Sequence, residues 1–430
     1  MPSPALAARC AGRGGDHHIL GTIAKSAAGP EINDLGRLSG SCVVASLDEA
    51  RQRAENRDRW RHQRVAAGLL QGERVADCQR SLTGLGVRVE RGDHGVGYSG
   101  LVTCDSRWCC PICAAKITER DRRELALAIV LWTRAGGRVY LMTQTFRHDV
   151  TLPIGEGLSA MQRAQRVMKA TRAYKAIMAA AGAIGAVKAL EVTLGENGWH
   201  PHTHTLVFAR VDQLETLELV RECWRAAVER VGLGRVNEHG FDVRGGDYAA
   251  EYVAKFGKEA GAQSRHQARA WWTAAHELTK GHTKQTQRLK GATPFTLLRW
   301  CAGGDAQSGA LFVEYARAFK GRAQLYWSPR LRARIDLLEL QEPKRPAPRP
   351  ELICTLPRED WARVLEHNAR WEVLYVADRY GAVAVEELLS RMRSHRGGWR
   401  SCFRAADPWN GRMVNINAPV EEWASQRVAA

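Results

Sequence analysis

The chain has 430 residues, 45% of them hydrophobic and 25% charged, which excludes a disordered or fibrous protein and leaves room for two or three domains. Lys and Arg outnumber Asp and Glu by 63 to 46, a net charge of +17 that favours a polyanionic partner. Eleven cysteines without a signal-like apolar start, and no apolar run longer than Leu125 to Trp132, predict a cytoplasmic protein with reduced thiols and no membrane partner.

In chain order, residues 1–74 read as a flexible basic leader, in which Glu49 to Gln71 forms a solvated helix. Residues 75–135 are a cysteine-rich region. It begins with short strands such as Val87 to Glu90 between Gly-rich turns and ends in a helix over Ala114 to Ala135 that stops at Gly136-Gly137. The catalytic unit is expected at 136–340. It contains a strand at Arg138 to Thr145, a helix at Leu158 to Ala181, and a hairpin of Ile184 to Leu194 with His200 to Phe208. A helix at Val211 to Val231, a strand at Val236 to Val243 and a helix at Asp247 to Glu259 follow. This order predicts an α+β fold, an antiparallel sheet with flanking helices on one face. The Pro/basic stretch Gln341 to Pro350 reads as a linker. Beyond it, 351–430 is expected to be mostly helical over Leu352 to Met392.

Three clusters carry chemistry. In Trp199-His-Pro-His-Thr-His204, alternation puts His200, His202 and His204 on one face of a strand. A turn at Glu196-Asn197 sets Glu191 opposite His202, and one at Asn197-Gly198 sets it opposite His204. Either way the carboxylate shares the histidine face, and a His-His-Glu set with open positions suits Mg²⁺ or Mn²⁺ in phosphodiester chemistry. In Asp247 to Lys258, helical spacing puts Tyr248, Tyr252 and Lys255 on one stripe. A tyrosine hydroxyl becomes a competent nucleophile beside a polarised phosphate, and Lys255 can hold that phosphate. In Cys104-Asp-Ser-Arg-Trp-Cys-Cys-Pro-Ile-Cys113, the Cys110-x-x-Cys113 knuckle suits structural Zn²⁺. Spacing leaves Cys104 and Cys109 both open as ligands, and Cys78 can supply another from a neighbouring strand.

Together these blocks resemble the Rep_1-type plasmid replication initiators of the HUH endonuclease superfamily, over roughly Cys78 to Arg332. The cysteine block is similar to the family's Cys-x-x-x-Trp-x-Cys-Pro-x-Cys segment, with Cys104, Cys110 and Cys113 on its cysteines. Leu141 to His148 resembles its first motif strand, His202-Thr-His204 its metal strand, and Tyr252-Val-Ala-Lys255 its nucleophile helix. Thr293 to Leu298 and Gly321 to Ser328 are also similar.

The resemblance implies an RRM-like palm and a rolling-circle initiator of plasmid DNA replication. Tyr252 would nick one origin strand, single-stranded at the nick, leaving a 5′-phosphotyrosine and a free 3′-OH for a host helicase and polymerase. Some relatives carry an acidic residue where Tyr248 stands, so the Tyr-x-x-x-Tyr pair is closer to the two-tyrosine members of the superfamily. The alternatives are a relaxase or single-strand transposase of the same chemistry, and a non-catalytic zinc-containing DNA-binding protein.

Overall fold

The computed structural model describes residues 47–92, 95–245, 291–337 and 349–394, with short strands at 31–32, 38–39, 404–406 and 413–415. In chain order, α1 (Leu47–Leu69) precedes a hairpin of β1 (Gly86–Gly92) and β2 (Gly95–Ser99), and α2 (Pro111–Arg134) leads into β3 (Arg138–Thr145). Helices α3 (Ile154–Ala170) and α4 (Arg172–Ala180) come before the long hairpin of β4 (Ala183–Gly195) and β5 (Gly198–Ala209). Then follow α5 (Val220–Arg230), β6 (Phe241–Arg244), α6 (Pro294–Ala302), α7 (Ala306–Phe319) and β7 (Leu325–Trp327). Further along the chain come β8 (Glu351–Pro357), α8 (Arg358–Glu366) and α9 (Arg370–Ser394). Among the described residues no helix is long and apolar enough to cross a membrane.

The central sheet runs β6-β3-β5-β4-β7, antiparallel throughout, in a mixed helix-and-sheet architecture compatible with α+β. Helices cover both of its faces rather than one. The cause is legible in β3, whose Val139 and Leu141 point one way and Tyr140 and Met142 the other, all four buried. Val139 and Leu141 join Leu206, Phe208 and Val187 against Leu125 and Ile129 of α2. Tyr140, Met142 and Val207 meet Met161 and Met168 of α3 and Trp224 of α5 on the far side.

Several elements differ from expectation. The helix over Leu158 to Ala181 is two helices, because Thr171 is extended (ψ 147°) and its side chain caps the second by accepting from Tyr174 N. The Val211 to Val231 helix is likewise split into Leu214–Glu218 and α5. Of the Val236 to Val243 segment only Phe241 to Val243 is strand, after a 3₁₀ turn, and β6 runs on to Arg244. The predicted helix over Asp247 to Glu259 lies outside the described residues.

The two ends of the chain also depart from the reading. Helix α1 is not a solvated leader: Trp60, Gln63, Ala66 and Leu70 are buried along its inner side and at its end. The segment after the Pro/basic stretch opens with β8, which pairs with β1 from Glu351↔Arg91 to Pro357↔Gly86 and completes a three-stranded sheet β8-β1-β2. Trp60, Tyr98 and Trp361 meet edge to face, at 5.8 and 5.0 Å. Trp361 Nε1 donates to Arg80 O (2.7 Å), and Tyr98 Oη donates to Arg370 O (2.6 Å).

Arg370 ties this unit together. Its guanidinium is buried, lies 5.0 Å from the Trp60 ring, and donates to Gln63 Oε1 (2.7 Å), Gln79 O (3.1 Å) and Trp60 O (3.2 Å). Burial pushes its pKa down to about 10, which leaves it charged at neutral pH. Arg370→Leu strands those acceptors, so a loss of about 3 kcal/mol is expected, readable as a lower urea midpoint for the full chain.

Candidate metal centre and cysteine knuckle

The β4–β5 hairpin turns on Glu196-Asn197, with Gly195 opposite Gly198 and positive φ only at Gly198 (85°). This selects the first of the two predicted registers: Glu191 pairs with His202, Ala189 with His204 and Thr193 with His200. On the other side of β5, Thr143 faces His204 and Thr145 faces His202. The histidines therefore continue the face that Leu206 and Phe208 present to α2, beyond the covered apolar end.

Glu191, His202 and His204 converge, with one ligand atom from each within 4.8 Å of the others. Glu191 Oε2 stands 3.1 Å from His202 Nε2 and 3.8 Å from His204 Nε2, and the carboxylate is 4% exposed. Hydrogen-bond partners face the rings from both sides. His202 Nδ1 lies 3.3 Å from His200 O and Nε2 lies 3.1 Å from Glu191 Oε2, so with Nδ1 donating to the backbone the Nε2 lone pair is left for an ion beside the carboxylate. His204 Nδ1 can donate in the same way to Thr143 Oγ1 at 3.0 Å. In the tautomer with both Nδ1 atoms donating, two imidazole lone pairs and a carboxylate oxygen face one point, and a cation there offsets their repulsion. The donor set fits a divalent ion.

His200, the other predicted ligand, is not part of this group. Thr145 Oγ1 donates to Pro201 O (3.2 Å) and so accepts from His200 Nε2 (3.1 Å). The remaining nitrogen, His200 Nδ1, faces His148 Nδ1 at 3.3 Å, and His148 Nδ1 also lies 3.4 Å from Phe146 O. Burial, then the neighbouring His202 and His148, push the His200 imidazole down to about 3, so it stays neutral. Sequence reasoning missed Thr143, Thr145 and His148 as partners of the histidines. The signal was available, since Thr at 143 and 145 has the same two-residue period as the histidines opposite.

Tyr248, Tyr252 and Lys255 lie outside the described residues. On the near side of that stretch, Gly245 sits against Tyr140, at the end of the sheet away from the histidines. On the far side, Gly291 lies against Thr193, the register partner of His200, and Ala292 bridges to Leu194.

The second group is Cys78, Cys104, Cys110 and Cys113, all buried and within 4.8 Å of one another. Their sulfurs approach to 3.4 Å (Cys78–Cys113), 3.6 Å (Cys78–Cys110) and 3.7 Å (Cys104–Cys113). Cys109, left open by spacing, is outside the group; its backbone N–H donates to Ser106 Oγ (3.1 Å). Amides of Cys104, Ser106 and Cys113 donate to Cys78, Cys104 and Cys110 sulfurs at 3.4, 3.4 and 3.5 Å, which favours thiolates. Crowding by the other sulfurs pushes the Cys110 thiol well above the usual range, while donation from its neighbours holds Cys113 well below it. Four sulfurs in a buried cluster fit one tetrahedral soft divalent ion.

The knuckle is joined to the rest. Cys110 N-caps α2, and Trp108 beside it packs on Phe319 of α7 (4.3 Å) and donates to Arg322 O (2.7 Å). Cys113→Ser is expected to lower the metal content by about one ion per chain, read by elemental analysis, together with the unfolding temperature. Thr143→Val is expected to weaken divalent-ion binding at the histidines about tenfold with the fold intact, read by titration calorimetry.

Comparison with known proteins gives two relatives. "Protein rep" of Streptomyces lividans is 26% identical over 307 residues, covering 55% of this chain, and the chain spans 64% of that protein's length. "Neomycin resistance protein" of Streptomyces cyanogenus is 33% identical over 133 residues, 25% of this chain and 30% of that one. No family model and no solved structure matches. The similarity to "Protein rep" agrees with the motif resemblance, and the chain spans less than two thirds of that protein's length.

Proposed function

We propose that the chain initiates rolling-circle replication of a plasmid by nicking one strand of its origin DNA. The observation that carries this reading is the Glu191-His202-His204 convergence, with both Nε2 atoms facing the carboxylate. The sheet, with its metal-type ligands on the central hairpin, is read as the palm of an HUH endonuclease. A hard carboxylate oxygen beside two imidazoles suits Mg²⁺ or Mn²⁺, which when bound would polarise the scissile phosphate. The four-sulfur knuckle takes Zn²⁺ as a structural ion.

In this reading Tyr252 is the nucleophile. Its Oη bonds to phosphorus as the bond from phosphorus to the 3′-oxygen breaks, and the departing 3′-oxygen takes up a proton. The products are a 5′-phosphotyrosine and a free 3′-OH, which host polymerase extends once a host helicase opens the duplex. Lys255, three residues on, would hold the phosphate. Tyr248 would make the second transesterification that releases the circle. The work belongs in the cytoplasm, where the plasmid and the replication proteins are.

The test uses a single-stranded origin oligonucleotide with Mn²⁺ and an SDS gel that detects protein covalently attached to DNA. Wild type is expected to form the adduct and Tyr252→Phe to lose it. If the Tyr248→Phe/Tyr252→Phe protein still attaches to DNA, the tyrosine mechanism fails.

A further inference from the structure

The side of the sheet away from the histidines carries a second cluster of functional groups. Odd-numbered residues of β4 (Val187, Ala189, Glu191) face the metal centre, so Lys188 faces the other way, beside Tyr326 of the edge strand β7. Gln162, Gln165, Arg166 and Lys169 of α3, spaced along one helical stripe, line a cavity of about 300 Å³ with Lys188. Tyr326 is 52% exposed on an otherwise apolar strand.

Two features show that this cavity is built. Buried Gln165 donates to Thr203 Oγ1 (2.8 Å) and Gln144 Oε1 (3.3 Å), which fixes its Oε1 to accept from Lys188 Nζ at 2.9 Å. Thr203 lies between His202 and His204, so the polar chain from the cavity ends directly behind the metal ligands. Arg166 and Lys169 meanwhile lack a carboxylate partner among the described residues. Burial, and then the charge of Lys169, push the Lys188 ammonium down to about 8. Neighbouring cations gathered without an acid are relieved by an anion, and an exposed ring beside them supplies a stacking face.

We propose that the groove between α3 and β4 binds the backbone of single-stranded DNA, with Arg166, Lys169 and Lys188 on phosphates and Tyr326, the register partner of Lys188, stacking on a base. This rests on the DNA-processing reading for the identity of the polyanion. The groove holds a part of the strand that does not react, on the reverse of the sheet from the nick.

The test is amine footprinting of the full chain. Lys188 acetylation by a water-soluble active ester is followed by mass spectrometry, with and without a saturating oligonucleotide. DNA is expected to protect Lys188 while labelling of exposed Lys175 is unchanged. Tyr326→Ala is expected to weaken oligonucleotide binding about tenfold, the scale of one stacked base. Arg166→Gln/Lys169→Gln should flatten the salt dependence by about 0.7 per lost phosphate contact, and Arg379→Gln on α9 should not. Equal labelling of Lys188 with and without DNA overturns the proposal, as does an Arg379→Gln loss equal to that of the double variant. Wild type that protects Lys188 yet forms no covalent adduct would instead count against the nicking mechanism and leave the groove standing.

Discussion

The two-residue turn at Glu196-Asn197 is the constraint on which the convergence of Glu191, His202 and His204 depends. A slip of one residue would carry His200, His202 and His204 to the other face of the sheet, among the methionines of α3. Gly198 guards against it twice. Its φ of 85° suits glycine, and a Cβ there would stand 3.0 Å from both Asp149 O and Val150 Cα. Register is reinforced along β5, which lies inside the sheet and is paired along both sides by β3 and β4. Ligand geometry is thus inherited from backbone hydrogen bonds.

The hairpin and the cysteine knuckle meet through α2. The knuckle holds the first turn of this helix, where Cys110 is both N-cap and part of the sulfur group, and the second half of the helix packs under the apolar end of the histidine strand. A rigid helix between them makes the placement of Leu125 and Ile129 answer to the state of four sulfurs. The same helix carries Asp121, which receives Arg107 of the knuckle loop at 2.8 Å. The loop, the helix and the sheet are in this sense one mechanical unit.

The parts legible in the sequence were those with short-range signals. Alternating histidines and apolar residues defined β5, Asn-Gly marked the hairpin, and the span of β3 follows its apolar run and Gly-Gly start. The set Cys78, Cys104, Cys110 and Cys113 was legible because the knuckle spacing and the motif resemblance agreed, although spacing alone could not separate Cys104 from Cys109. Long-range effects were hidden. Nothing local in Leu352 to Leu356 reports that Val87 and Val89 need a partner strand, so a helical pattern looked equally good. The buried side of α1 was masked by its many arginines, because Gln63 and Trp60 are buried by Arg370, some three hundred residues away. His200 looked equivalent to its neighbours until His148, from a different loop, took up its free nitrogen.

The pairing of β8 with β1 has a consequence for how the chain comes off the ribosome. The five-stranded sheet and its helices can be synthesised and packed while β1 still has an open edge, since its outer partner follows them in the chain. Until Glu351–Pro357 emerges, that edge offers unpaired amides and carbonyls to any passing strand. The β8-β1-β2 sheet closes last, and ribosomal stalling or truncation within the Pro/basic stretch would release a chain with β1 unpaired on that side and prone to aggregate.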